Sequence, residues 1–216
     1  METTEIIVAK QLLDVKAVLL NPEKPFRWVS GWLSPIYCDN RKILSYPTSR
    51  NIILDQLIAV IERDYPKVEV IAGVATGAIA WGALVADRLN KPFVYVRPKP
   101  KSHGTGVRVE GELVPQSKVV VVEDLISTGR SSISAADSIT EKGGEVLGMI
   151  AIFSYGFNKS RKAFEDANLE LRTLTNYDTL IKEAVNRKYI RPEAIDTLID
   201  WRFQPEVWGE QHSSTK

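Results

Sequence analysis

Four consecutive β-branched residues, Val119, Val120, Val121 and Val122, run directly into two acids, Glu123 and Asp124, and then through Leu125 and Ile126 into Ser127, Thr128, Gly129, Arg130, Ser131 and Ser132. No other stretch limits the possible folds as tightly. A short, wholly apolar run bounded by turn residues reads as a strand buried on both faces, the kind found in parallel sheets covered by helices. The small polar run reads as a tight turn that opens a helix near Arg130. In an open α/β sheet, ligands sit at the carboxyl ends of the strands. Main-chain N–H groups of such a turn, at a helix N-terminus, make an anion site, and Gly129 lets a ligand approach the backbone closely. Hydroxyls of Ser127, Thr128 and Ser131 add donors. Glu123 and Asp124 would repel phosphate and instead suit sugar hydroxyls or a hydrated divalent cation. The strip therefore fits a ligand with a phosphate at one end and a diol or metal at the other.

The same order of residues, four apolar, two acidic, two apolar and then Ser-Thr-Gly-x-Ser, resembles the phosphoribosyl diphosphate signature of the type I phosphoribosyltransferases. It is neither a dinucleotide G-x-G-x-x-G nor a Walker loop. The resemblance implies an α/β fold with a mainly parallel sheet of about five strands flanked by helices. It also implies that Glu123, Asp124, Leu125, Ile126, Ser127, Thr128, Gly129, Arg130 and Ser131 bind phosphoribosyl diphosphate. In that assignment the acids hold the ribose hydroxyls and residues 127–131 hold the phosphate. Mg²⁺ is expected to travel with the substrate, with no direct protein ligand, reaching Glu123 or Asp124 through water.

The rest of the chain narrows the class. With 216 residues and 44% apolar content it can build one domain with a real core and a small appendage. A net charge of +1 gives no global reason to expect nucleic acid or a membrane surface as partner. Cys38 is the single cysteine, which rules out an intrachain disulfide and suits a reducing cytoplasm. The first residues, Met1 to Glu5, are acidic and lack the cationic start and apolar run of a signal peptide. The longest apolar run, residues 146–153, is too short to span a bilayer.

Taken in order, residues 4–20 carry an amphipathic pattern through Ile6, Ile7, Leu12, Leu13, Val18 and Leu19. They read as a helix stopped by Asn21-Pro22 and packed as an appendage. Residues 26–41 mix aromatic and β-branched side chains with Ser30-Gly31 and Ser34-Pro35, which suggests short strands and turns, a small β-hood with surface tryptophans. Thr48 reads as the N-cap of a helix to about Arg63. A strand over residues 68–72 leads into Gly73-Val74-Ala75-Thr76-Gly77, a second glycine-rich turn that either cradles an anion or simply connects strand to helix. A strand over 93–96 is followed by a basic, glycine-rich segment from Arg97 to Gly111. It is as long as a functional lid and too polar to bury much surface, so mobility is expected. Further strands are expected over 145–153 and 169–174, helices over 176–186 and 192–200, and a disordered tail over 211–216.

Two of these segments sharpen the resemblance. The pattern Phe-x-x-x-Ser-Gly-x-x-Ser-Pro-x-Tyr-x-Asp-x-Arg over residues 26–41 is similar to the hood of orotate phosphoribosyltransferases, where it covers the pyrimidine. By that likeness Ser34, Tyr37, Asp39 and Arg41, with Ser127, are the candidates for the base pocket. The pattern Arg-x-x-x-Lys-x-His-Gly resembles the catalytic loop of the same enzymes, so Arg97, Lys101 and His103 carry over by position. Together with Asp124 they form the catalytic set. The glycine-rich turn at Ala75, Thr76 and Gly77 is assigned to the diphosphate.

Departures from the pattern are specific. Some relatives carry an active-site lysine where Val29 stands, and a base-recognising arginine just after Tyr155, where Lys159 and Arg161 follow instead. The likeness implies residues 1–46 as N-terminal helix and hood and 47–210 as core. It further implies a cytoplasmic homodimer whose loop from Arg97 to Gly111 acts in the partner's site. An enzyme of the same fold for a purine or uracil should lack the hood pattern and the Lys-x-His loop. A regulatory protein of this fold should carry a nucleic-acid module or a basic face.

Overall fold

The run of valines lies in the longest-paired strand of a parallel sheet, and helices cover both of its faces. The structure, a computed structural model, describes residues 2–28, 31–99 and 108–212. The chain begins with helix α1 (Thr4–Asp14) and continues through strands β1 (Val18–Leu20), β2 (Phe26–Arg27), β3 (Leu33–Ser34) and β4 (Ile36–Cys38). A 3₁₀ helix (Asn40–Ser45) leads into α2 (Pro47–Asp64), β5 (Val70–Val74), α3 (Ile79–Leu89), β6 (Phe93–Val96) and β7 (Val109–Glu110). The second half consists of β8 (Lys118–Ile126), α4 (Arg130–Glu141), β9 (Glu145–Ser154), α5 (Asn158–Asp166), β10 (Leu171–Asn176) and α6 (Tyr177–Asn186). A second 3₁₀ helix (Pro192–Ala194), α7 (Ile195–Phe203) and α8 (Pro205–His212) close it.

Among the described residues the central sheet has six strands in the order β10-β9-β8-β5-β6-β7. All neighbours are parallel except β7, which returns antiparallel along β6. In β8 the two-residue period of a strand sorts the valines by face. Val120 and Val122 point into the larger cluster with Leu12, Ile53, Leu57 and Trp81, whereas Val119 and Val121 meet Ala135, Ile139 and Phe164 on the other side. All four valines are fully buried. Full burial of each contributes about 1.5–3 kcal/mol, so this strand alone is a large part of the core.

Several expectations change. The first helix ends at Asp14 rather than Leu20, because Lys16 turns left-handed at φ 53° and the apolar residues at 18–20 pair as a strand with Ile36, Tyr37 and Cys38. Nor is this helix an appendage: Val8, Ala9, Leu12 and Leu13 are buried in the larger cluster, against α6 and β10. Thr48 does not cap α2. Tyr46 holds that position without a side-chain bond, and Pro47, whose missing N–H costs nothing at the first helical position, starts the helix two residues earlier than a Thr48 cap would. Strands expected over 68–72 and 169–174 lie over 70–74 and 171–176. The segment expected as loop to Gly111 contains β7, paired to Tyr95 and Val96.

The C-terminal residues also depart from the reading as a free tail. Gln211 and His212 complete α8, and the His212 ring stacks on Trp208 with centroids 3.7 Å apart. Residues 213–216 lie outside the described residues. The hood tryptophans are not simple surface groups. Trp28 packs against Tyr155 at 5.1 Å and edge-on to Trp201 at 5.6 Å, and the fully buried Trp201 donates its indole N–H to Leu33 O at 3.1 Å. These aromatic pairs tie the hood, β9 and α7 into one body, each adding about 0.5–1.5 kcal/mol beyond its buried area. Among the described residues no helix is long and apolar enough to cross a membrane.

Candidate active site

The carboxyl ends of β5 and β8, adjacent in the sheet, bring two turns together. β8 ends at Ile126, and residues 127–129 turn into α4 with Gly129 as N-cap at φ 80° and no side-chain cap bond. First-turn N–H groups of α4 are therefore left without a capping side chain, as an anion site needs. Gly129 is required there for two reasons: its φ is left-handed, and an added Cβ would come within 2.9 Å of the Phe164 ring. Ser127 and Thr128 are half-buried, while Arg130 and Ser131 are exposed. Ile126 is fully buried and its carbonyl accepts from Tyr155 N at 3.1 Å.

On the neighbouring strand, β5 passes into Ala75, Thr76 and Gly77 before α3. The Ala75–Thr76 peptide is cis, and Ala78 caps the helix without a side-chain bond. The Asp124 carboxylate lies directly over this turn: a Cβ added to Gly77 would collide with Asp124 Oδ2. The hood reaches the same residue from the other side. Asn40, almost fully buried, donates from Nδ2 to Asp124 O at 2.5 Å, and its Oδ1 accepts from Cys38 Sγ at 3.3 Å. Two segments far from Asp124 in sequence, the hood and the turn at 75–77, thus converge on it.

The two acids differ. Glu123 is buried, accepting from Ser132 Oγ at 2.8 Å through Oε2 and from Asp124 N at 3.0 Å through Oε1. Burial, reinforced by the Asp124 charge, pushes the Glu123 carboxyl well above its ordinary range. Burial raises Asp124 as well, opposed by its hydrogen bond with Glu123 and by the Arg41 charge. Burial thus disfavours the charged form of both carboxyls, and more strongly that of Glu123.

Of the residues expected at the base, Ser34 is fully buried and its hydroxyl is engaged with the Ile36 main chain, accepting from N at 3.2 Å and donating to O at 2.7 Å. Tyr37 is exposed beside Phe26. Asp39 and Arg41 form a two-pronged pair, with Arg41 Nε 2.7 Å from Oδ1 and Nη2 3.0 Å from Oδ2. That guanidinium holds the Asp39 carboxyl below its usual range. Asn40 escaped attention in the sequence because a polar residue between two charged ones carries no local mark of burial. Its partner lies 84 residues away.

The segment expected to be the catalytic loop is described only at its ends. Arg97 N donates to Arg108 O at 2.9 Å, Arg108 Nε donates back to Arg97 O at 2.9 Å, and Arg97 Nη1 lies 3.5 Å from Glu110 Oε1. Arg108 is further fixed by Ser134, at 2.7 Å to Oγ. Both ends of the loop are therefore anchored at the carboxyl end of β6. Lys101 and His103 lie outside the described residues, as do Val29 and Ser30. Among the described residues no cluster of three or more His, Cys, Asp or Glu side chains could hold a metal ion.

A doubly covered parallel sheet with two turns that open helices without a side-chain cap, beside a pair of acids, defines the class, and sequence comparison agrees with it. A family model for the phosphoribosyl transferase domain matches residues 48–186, and the chain belongs to that family. It is 55% identical over 209 residues to the orotate phosphoribosyltransferase of Porphyromonas gingivalis, covering 97% of this chain and 100% of the relative. It is 53% identical over 201 residues to that of Cytophaga hutchinsonii, covering 93% and 96%. The crystal structure of orotate phosphoribosyltransferase from Aeropyrum pernix superposes with a TM-score of 0.73 at 32% identity, over 82% of this chain and 97% of that one. Within the family, the chain belongs with the orotate phosphoribosyltransferases.

Proposed function

We propose that the chain joins orotate to the ribose of 5-phosphoribosyl 1-diphosphate, releasing diphosphate and forming orotidine 5'-monophosphate for de novo synthesis of UMP. The observation that carries this reading is the convergence of the hood and the turn at residues 75–77 on Asp124, on the strand that leads into the turn at 127–131. In the reaction the bond from the anomeric carbon to the diphosphate breaks and a bond to the pyrimidine nitrogen forms. Positive charge grows on the sugar and negative charge on the leaving group, so the protein's work is positioning, charge neutralisation and exclusion of water.

Residues 127–131 bind the 5'-phosphate, Glu123 and Asp124 the ribose hydroxyls, and Ala75, Thr76 and Gly77 the diphosphate. Asp124 also offsets charge on the sugar. Ser34, Tyr37, Asp39 and Arg41 shape the base pocket, with Ser127 at its edge. Arg97, Lys101 and His103 close over the leaving group from a loop hinged at the Arg97–Arg108 pair. The acids fit a hydrated Mg²⁺ carried by the substrate, since both Glu123 oxygens already accept hydrogen bonds. When bound, that ion neutralises the diphosphate. We assign residues 1–46 to the helix and hood and 47–210 to the transferase core. The enzyme acts as a cytoplasmic homodimer in which the loop serves the partner's site.

The test is an assay of orotate, uracil, hypoxanthine and adenine with phosphoribosyl diphosphate and Mg²⁺. Turnover of orotate alone is expected, and consumption of a purine without orotate would overturn the reading. For the loop, mixing Lys101→Ala subunits with Asp124→Asn subunits should restore activity in heterodimers. Activity no higher than that of the parents would exclude action in trans.

A further inference from the structure

Beside the phosphate turn lies a cavity of about 290 Å³ whose walls come from four parts of the chain: Trp32 of the hood, Thr128 of the turn, Phe157 after β9, and Arg202 with Phe203 at the end of α7. Its position at the sheet's carboxyl edge follows from register. Ile126 pairs with Ser154, and Tyr155 N donates to Ile126 O, so Phe157 emerges next to the turn at 127–129. Trp32 then faces Phe157 edge-on at 6.4 Å. Thr128 thus belongs both to the cavity and to the turn assigned above to the sugar phosphate, and Trp32 brings the hood to the same place.

A pyrimidine carboxylate brings a fixed negative charge into this space, and a carboxylate taken out of water needs a cation with directed donors. Two cations line the cavity, Lys159 and Arg202. Lys159 is exposed near the start of α5. Arg202 is different: its side chain is 20% exposed, Nη1 donates to Asp178 Oδ2 at 2.8 Å, and the guanidinium sits 5.3 Å from the Phe203 ring centroid. It also lies against Gly156, where an added Cβ would be 3.4 Å from Nη1. Asp178 thus fixes the guanidinium by one edge. A planar fork with five N–H donors can then engage a second carboxylate.

We propose that this cavity receives the carboxylate of the pyrimidine and that Arg202 makes the enzyme specific for a carboxylated pyrimidine over uracil. The inference rests on the orotate reading. A wild-type enzyme that does not turn over orotate defeats that reading, whereas the variants below defeat only the role of Arg202. Steady-state constants for orotate, uracil and phosphoribosyl diphosphate, with a thermal midpoint, are measured for the wild type, Arg202→Met, Arg202→Lys and Lys159→Met. Arg202→Met should raise KM for orotate by about 10- to 100-fold, the scale of one charge-assisted hydrogen-bonded contact, and narrow the preference for orotate over uracil by the same factor. KM for phosphoribosyl diphosphate should stay near wild type. Arg202→Lys should recover part of the loss, and Lys159→Met should change little. An unchanged preference in Arg202→Met overturns the proposal. So does a parallel rise of both KM values with a falling midpoint, which marks a purely structural arginine, or a larger effect from Lys159→Met.

Discussion

The side-chain amide of Asn40 donates to the main-chain carbonyl of Asp124 at 2.5 Å, fastening the hood to the strand that carries the acids. Both ends are buried or nearly so, so removing the donor strands the carbonyl at a cost of about 1–3 kcal/mol. Asn40→Ala should lose stability of that size in urea denaturation. It should also lower kcat beyond the effect of unfolding, since Asp124 loses its tether. Wild-type values of both would show that the contact is dispensable.

Gly77 has no room for a methyl group, because the position of its Cβ is occupied by the Asp124 carboxylate. Gly77→Ala must displace either the turn or the acid. Misplacing such groups by about 1 Å costs roughly 100-fold in rate. Steady-state kinetics should therefore show a fall of that order in kcat/KM for phosphoribosyl diphosphate. A variant within threefold of wild type would mean that the carboxylate is free to move.

Glu123 makes stability depend on pH in a defined sense. Burial raises its carboxyl above the ordinary value of 4.5, so the folded protein keeps a proton that the unfolded chain releases. The contribution is fully present below about pH 4.5 and is lost progressively as pH rises through the folded value. Glu123→Gln cannot ionise and still offers the shape of the protonated acid. Its thermal midpoint relative to wild type should rise with pH above 4.5 and show no gain below it. A constant difference across a pH series would place the proton elsewhere.

Trp201 is fully buried and joins α7 to the hood through its bond to Leu33 O. Trp201→Ala should cost about 3–5 kcal/mol. Trp201→Phe, which keeps most of the packing but not the donor, should leave a folded enzyme with a loosened hood. Kinetics of that variant should show KM for orotate rising more than KM for phosphoribosyl diphosphate. Equal changes in both would detach the hood from base binding.

Residues 119–132 announced both a buried parallel strand and a tight turn that opens a helix, because each is a local property. Burial on two faces shows as an unbroken β-branched run, and a phosphate turn needs small residues in a fixed order. The hood's Ser-Gly-x-x-Ser-Pro pattern was legible for the same reason. What failed locally was decided by competition: Pro47 displaced Thr48 as the helix start, and residues 18–20, apolar enough for a helix face, were taken by pairing with residues 36–38.

The sequence by itself thus determined the sheet, its carboxyl-end turns and the chemical types gathered there, since periodicity and turn chemistry are written in neighbouring residues. Only the tertiary structure decided which partners meet: Asn40 with Asp124, Gly77 beneath the same carboxylate, and Arg202 returned to the edge beside Gly156. Such contacts join segments tens of residues apart. Their physical basis is burial and close approach, and neither exists until the sheet has brought the chain ends of β5, β8 and β9 side by side.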